Sequence, residues 1–224
     1  TQLPERFFFS GLQTANDLVS LLTEIKTGQH PLFEKDTKTD MFAYSIGGLL
    51  AQVMYIANPL NLFGGSKLLL FCAGSVFSEM NGVSKVIMDK TAHERVQYYY
   101  TNELEDHIKK SGAFSAFFNS SKIGMAFRSM IAPEKHRELR EKVFRTAQKQ
   151  IYAISLKNDR VIPPEGISES LMGTKNRLPD NMEVLDFDFP YSHEVPFPGK
   201  NARIKDLVDE AFEIVFRKAA VFLS

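Results

Sequence analysis

The sequence predicts an α/β fold, a mostly parallel sheet with helices on both faces, and three observations predict it. The first is the run Met41-Phe42-Ala43-Tyr44-Ser45-Ile46-Gly47-Gly48, an apolar strand that stops at a serine and restarts as the helix Leu49 to Ile56. The second is the recurrence of short β-rich apolar runs, Lys67 to Ala73, Ile151 to Leu156 and Met182 to Phe189, each followed by turn residues. The third is the set of segments around these runs whose apolar residues recur at helical spacing.

Taken in order, Phe7-Phe8-Phe9 precedes the first helix as a core-facing or loop cluster, since three exposed phenylalanines would invite aggregation. The first helix runs from Ala15 to Ile25, with Leu18, Leu21, Leu22 and Ile25 on one face. Gly28 to Thr39 is polar and turn-rich and leads to the strand Asp40 to Tyr44. Asn58-Pro59 closes the helix after Ser45, and Gly64-Gly65 turns the chain into the strand Lys67 to Ala73. Few strand signals occur between Gly74 and Gln150. Pro133 to Gln150 reads as an amphipathic helix with Leu139, Val143, Phe144 and Ala147 inward and Glu134, Lys135, Arg137, Arg140, Glu141, Lys142 and Arg145 outward. The last helix, Ala202 to Leu223, carries Ile204, Leu207, Val208, Ala211, Phe212, Val215 and Phe216 at a spacing suited to covering one sheet face.

The chemistry starts at Ser45. A serine between a strand and a helix, with small residues two before and two after it (Ala43 and Gly47), fits the sharp turn that pushes a nucleophilic hydroxyl out of a sheet. Gly48 then lets the new helix pack close to the sheet. Such a hydroxyl needs an imidazole to accept its proton and a carboxylate to hold that imidazole. Downstream, Lys157-Asn158-Asp159-Arg160-Val161-Ile162-Pro163-Pro164-Glu165 places Asp159 on a turn between a strand and a proline-started helix. His193 follows in the loop Pro190-Tyr191-Ser192-His193-Glu194, past the strand Met182 to Phe189. Each residue also has a plainer role open to it: Ser45 and Asp159 as helix or turn caps, His193 as a loop histidine with one local hydrogen bond.

With these motifs in the order Ser, Asp, His, the chain from about Thr14 onward resembles the α/β-hydrolase superfamily. The resemblance implies that Ser45 is the nucleophile, Asp159 the triad acid and His193 the general base. It also implies that the backbone N–H of Ile46 is one oxyanion-hole donor. Glu79 is the alternative acid, because some hydrolases of this class take it from an earlier loop. On this reading residues 1–73 are hydrolase core, 74–132 a helical cap insertion and 133–224 the C-terminal part of the core. Val86, Ile87, Val96, Tyr98, Tyr99, Tyr100, Phe114, Phe117, Phe118, Met125, Phe127 and Met130 could line an apolar pocket under that cap or simply pack it.

The resemblance further implies four strands and two helices ahead of the strand that leads into the turn, where this sequence offers at most one helix. The expectation is a C-terminal part of the fold whose N-terminal strands, with the second oxyanion donor, lie in a further segment of the same polypeptide. The 224 residues alone would then be poorly active.

Composition narrows the partners. Of the 224 residues 44% are hydrophobic and 24% charged, and Lys plus Arg equal Asp plus Glu at 27 each, so no net field draws the chain to nucleic acid. One cysteine, Cys72, rules out an internal disulfide framework and reads as a buried strand residue, leaving the compartment open. No apolar run reaches the roughly 20 residues of a transmembrane helix. His30, His93, His107 and His136 lack metal-ligand spacing, and no phosphate-binding loop occurs, so neither metal nor cofactor is expected. Three functions compete: a serine hydrolase for a small carboxylic ester with an apolar acyl or alcohol group, an acyltransferase on the same triad, and a non-catalytic binding protein that keeps the fold.

Overall fold

The computed structural model describes residues 3–224 as an α/β fold. Four parallel strands, β1 (Met41–Tyr44), β2 (Leu68–Phe71), β3 (Ile151–Leu156) and β4 (Met182–Leu185), lie side by side in chain order. The register pairs Tyr44 with Phe71, Phe71 with Ile154, and Leu156 with Leu185. The C-terminal ends of all four strands therefore open on one edge, and that edge is where an open parallel sheet places its loops for chemistry.

Alternation along β2 sorts the helices onto two faces. Leu68 and Leu70 point into the larger core with α2 (Gly47–Ala57), α6 (Lys122–Ser129), α7 (Arg137–Thr146) and α8 (Pro164–Met172). Leu69 and Phe71 point the other way, onto Val215 and Ala219 of α9 (Lys205–Leu223). Both faces of β2 are buried, which is why this strand is an unbroken apolar run and not an alternating one. The remaining helices are α1 (Arg6–Thr27), α3 (Lys90–Tyr98), α4 (Leu104–Lys110) and α5 (Gly112–Ser120).

The boundary signals act as their chemistry dictates. Gly28 ends α1 in the left-handed region, at φ 72°, with its N–H bonded back to Ile25, and Asn58 ends α2 in the same region. Four local expectations are corrected. The Phe7-Phe8-Phe9 cluster lies inside α1, which begins nine residues earlier than expected: Phe8 packs on Phe118 and Phe127, so tertiary contact extends the helix beyond the stretch with clean periodicity. Strand β4 ends at Leu185, because the chain turns into the His193 loop before Phe189.

Arg140, expected on the solvated face of α7, is fully buried. Its guanidinium donates to the carbonyls of Ser170, Ser129, Ala132 and Pro133, satisfying the C-terminal end of α6, the loop after it and the C-terminal turn of α8. A guanidinium has five donors and no acceptor, so a shell of carbonyls meets its needs without a carboxylate. On α9, Leu207, Phe212 and Phe216 are partly exposed, and the buried stripe is Val208, Ala211, Val215 and Ala219. The reason is position: β1 is the edge of the sheet, and Phe216 stacks on the outward-facing Phe42 of that edge, 5.8 Å between ring centres.

Candidate active site

Ser45 sits directly after β1 at φ 54°, a left-handed conformation that serine adopts only under constraint. The constraint is the abrupt change from strand to helix. Gly48 makes the turn close: a Cβ there would lie 2.6 Å from the Cβ of Ala73 and 3.0 Å from the nitrogen of Gly74. Gly47 does not carry that burden, because a Cβ on it would meet nothing within 4 Å. Of the two glycines, Gly48 is the steric requirement.

The three residues singled out from the sequence come together. The hydroxyl of Ser45 donates to Nε2 of His193 at 2.6 Å, and Nδ1–H of His193 donates to Oδ2 of Asp159 at 2.8 Å. These roles follow from the carboxylate, which can only accept when ionised and so fixes the proton on Nδ1. The other oxygen of Asp159 accepts from the backbone N–H groups of Val161 and Ile162, both at 2.9 Å. Asp159 is thus both a turn-former and the partner of His193. Pro163 occupies the N-cap position of helix α8, which has no side-chain cap, so the aspartate does not cap that helix.

Burial divides the labour. Asp159 and His193 are 4% and 2% exposed, whereas Ser45 is only partly covered, so the pair is shielded from water while the hydroxyl remains reachable. A carboxylate held in low dielectric interacts strongly with any charge that develops on the adjacent imidazole. The backbone N–H of Ile46 lies outside α2, and among the described residues it makes no backbone hydrogen bond. It stands at the N-terminal end of that helix, where the helix dipole favours negative charge.

Two neighbours escaped the sequence reading. Tyr44 stacks on the His193 ring, with centres 5.5 Å apart, and its hydroxyl donates to the His193 carbonyl, tying the histidine loop to β1. Burial, then the nearby Cys72, Asp159 and Glu194, push the Tyr44 hydroxyl up to about 12, so it remains a donor at neutral pH. Cys72, one residue past β2 and fully buried, has its thiol pushed up by burial first and by the Asp159 carboxylate beside it, which keeps it protonated. The signal for both lay in strand register. Once Tyr44 pairs with Phe71 and Phe71 with Ile154, the residues at those strand ends must neighbour the loops carrying Ser45 and Asp159.

Glu79 is not part of this cluster; it pairs with Lys175. Of the twelve apolar candidates named from Val86 to Met130, Val96 and Phe127 line a cavity of about 780 Å³ beside α2. Tyr100, Phe118 and Met130 are packed in the core, and Val86, Ile87 and Tyr98 are exposed. Most of the cavity wall comes from α1 and α2 instead. Among the described residues no group of three His, Cys, Asp or Glu side chains is arranged to hold a metal ion, and no helix is long and apolar enough to cross a membrane.

Fold and site together define an α/β protein with a four-stranded parallel sheet and a hydrogen-bonded chain of Ser45, His193 and Asp159 in the loops past the C-terminal ends of its strands. The chain belongs to the family described as Family of unknown function (DUF6051), whose model matches residues 1–224. No curated protein and no solved structure matches it.

Proposed function

We propose that this chain is a serine hydrolase of the α/β-hydrolase type that cleaves a carboxylic ester through an acyl-enzyme. The observation that carries the reading is the continuous relay from the Ser45 hydroxyl through His193 to Asp159, at 2.6 and 2.8 Å, with the serine on a strained turn. A plain helix-capping serine needs neither the imidazole nor the strain, and here the Ser45 side chain caps no N–H of α2.

Chemically, Ser45 Oγ attacks the ester carbonyl carbon as its proton passes to His193 Nε2, and the imidazolium so formed is stabilised by Asp159. The tetrahedral oxyanion accepts from the N–H of Ile46 at the positive end of α2. The imidazolium returns its proton to the leaving alkoxide as the C–O bond breaks, releasing the alcohol and leaving the acyl group on Ser45. Water, deprotonated by His193, then attacks the acyl carbonyl and regenerates the serine with loss of the free acid. An alcohol in place of that water would make the same intermediate an acyl donor, and the acceptor alone separates the two reactions.

The test is turnover of a panel of p-nitrophenyl esters by the full-length protein and by its Ser45→Ala variant. Ester cleavage that disappears in the variant, with the thermal transition retained, is the expected result. Equal turnover by both proteins, or none by a folded wild type on any ester, would overturn the reading.

A further inference from the structure

The cavity beside α2 begins next to Ser45, although the serine is not itself one of its lining residues. It is bounded by Ile46 and Gly47, the two residues immediately after the serine, and extends between α1 and α2 under Phe7, Phe8, Leu49 and Val53. Its volume of about 780 Å³ falls within the roughly 300–1,000 Å³ of small-molecule sites. Lining residues on α1 run from Arg6 to Ala15, about 14 Å at 1.5 Å per residue, so the space is long as well as large.

Its chemistry is one-sided. Among the described lining residues the one charged side chain is Arg6, which is exposed. The hydroxyl of Thr14 is already spent on the carbonyl of Ser10. None of the buried polar atoms left without a partner belongs to a lining residue, and Ser10, the other hydroxyl of the wall, is exposed to solvent. A Cβ on Gly47 would meet nothing within 4 Å, so no side chain narrows the wall at the end next to Ser45. Gly11 likewise lines the wall with open space where a side chain would begin.

We infer that this cavity is the acyl-binding site, and that the substrate class is an ester of a linear, uncharged aliphatic acid; the inference rests on Ser45 being the nucleophile. Each methylene that enters an apolar site is worth about a fourfold gain in kcat/KM. Helix α1 gains intrinsic propensity when a glycine within it is replaced, so Gly11→Phe fills the cavity without an obvious cost to the fold.

The experiment measures kcat/KM for p-nitrophenyl acetate, butyrate, hexanoate, octanoate and dodecanoate, and separately the fluorescence of cis-parinarate added to the Ser45→Ala protein. The expected result is a rise of about fourfold per methylene up to the octanoate, with saturable parinarate binding that Gly11→Phe weakens. In the Gly11→Phe enzyme the octanoate-to-acetate ratio should fall by more than tenfold. A flat or falling chain-length profile in an enzyme whose Ser45 reacts with a fluorophosphonate would overturn the acyl site and leave the nucleophile standing. Absence of that reaction would remove both. Parinarate that fails to saturate the Ser45→Ala protein would overturn the cavity's role independently of any catalysis.

Discussion

Ser45 combines a left-handed backbone with a hydroxyl held on the His193 imidazole. Holding a non-glycine residue in that region costs about 1–3 kcal/mol, so the turn stores strain at the proposed nucleophile. Ser45→Gly should therefore abolish ester cleavage while raising stability by about 1 kcal/mol, read as a melting-temperature increase of about 2–4 °C for a chain of this size. An unchanged or lower melting temperature would show that the turn is not strained as described. Asp159 offers a second residue-scale test. Because its Oδ2 fixes the Nδ1–H tautomer of His193, Asp159→Asn should lower kcat by about 10⁴-fold, the size of the same change in a serine protease. A loss of less than tenfold would return the role to Glu79, despite its pairing with Lys175. The three residues that meet in this hydrogen-bonded chain were legible in the sequence as candidates, since each stands beside strong local punctuation: Ala43 and Gly47-Gly48, the Pro163-Pro164 helix start, and the loop after a strand. Tyr44 and Cys72 were not, because their role depends on register between strands, which no local pattern encodes.

At the scale of elements, the junction between β1 and α2 rests on one close approach, Gly48 against Ala73 and Gly74. Gly48→Ala forces the helix away from the end of β2 and should destabilise the fold by about 1–3 kcal/mol, with a loss of kcat as the Ser45 hydroxyl moves off His193. Gly47→Ala meets no atom and should leave the melting temperature unchanged or raised. Thermal unfolding of the two variants side by side checks this, and equal losses would contradict it. Helix boundaries were read well where glycine or asparagine ends the helix, as at Gly28 and Asn58, and poorly where packing decides. The start of α1 is set by Phe8 lodging against Phe118 and Phe127, residues more than a hundred positions away. Arg140 was misread for a related reason: a helical wheel counts charge as outward, and only the tertiary fold brings four carbonyls around this guanidinium.

For the whole molecule, the parallel sense of the sheet followed from the sequence, because four well-separated apolar runs joined by helical segments leave few other arrangements. The position of the large cavity did not follow. Aromatic density pointed to the helices after Val86, while the wall is built mainly by α1 and α2, whose apolar residues look like ordinary core until the helices are placed. The edge formed by β1 is the most exposed feature of the sheet, with Phe42 and Phe216 stacked and partly open to solvent. Edge strands with apolar flanks pair with other chains, and a lysine on the edge suppresses this. Phe42→Lys should therefore raise the concentration at which the 224-residue chain self-associates, measured by sedimentation velocity, and an unchanged association profile would contradict the assignment of that edge. The central claim is that the relay makes Ser45 a nucleophile, and the most direct measurement is mass-spectrometric mapping of a fluorophosphonate probe on the full-length protein. The account predicts a single adduct on Ser45 that is lost in Ser45→Ala and strongly reduced in His193→Gln; an adduct on another serine, or none on the folded wild-type protein, would contradict it.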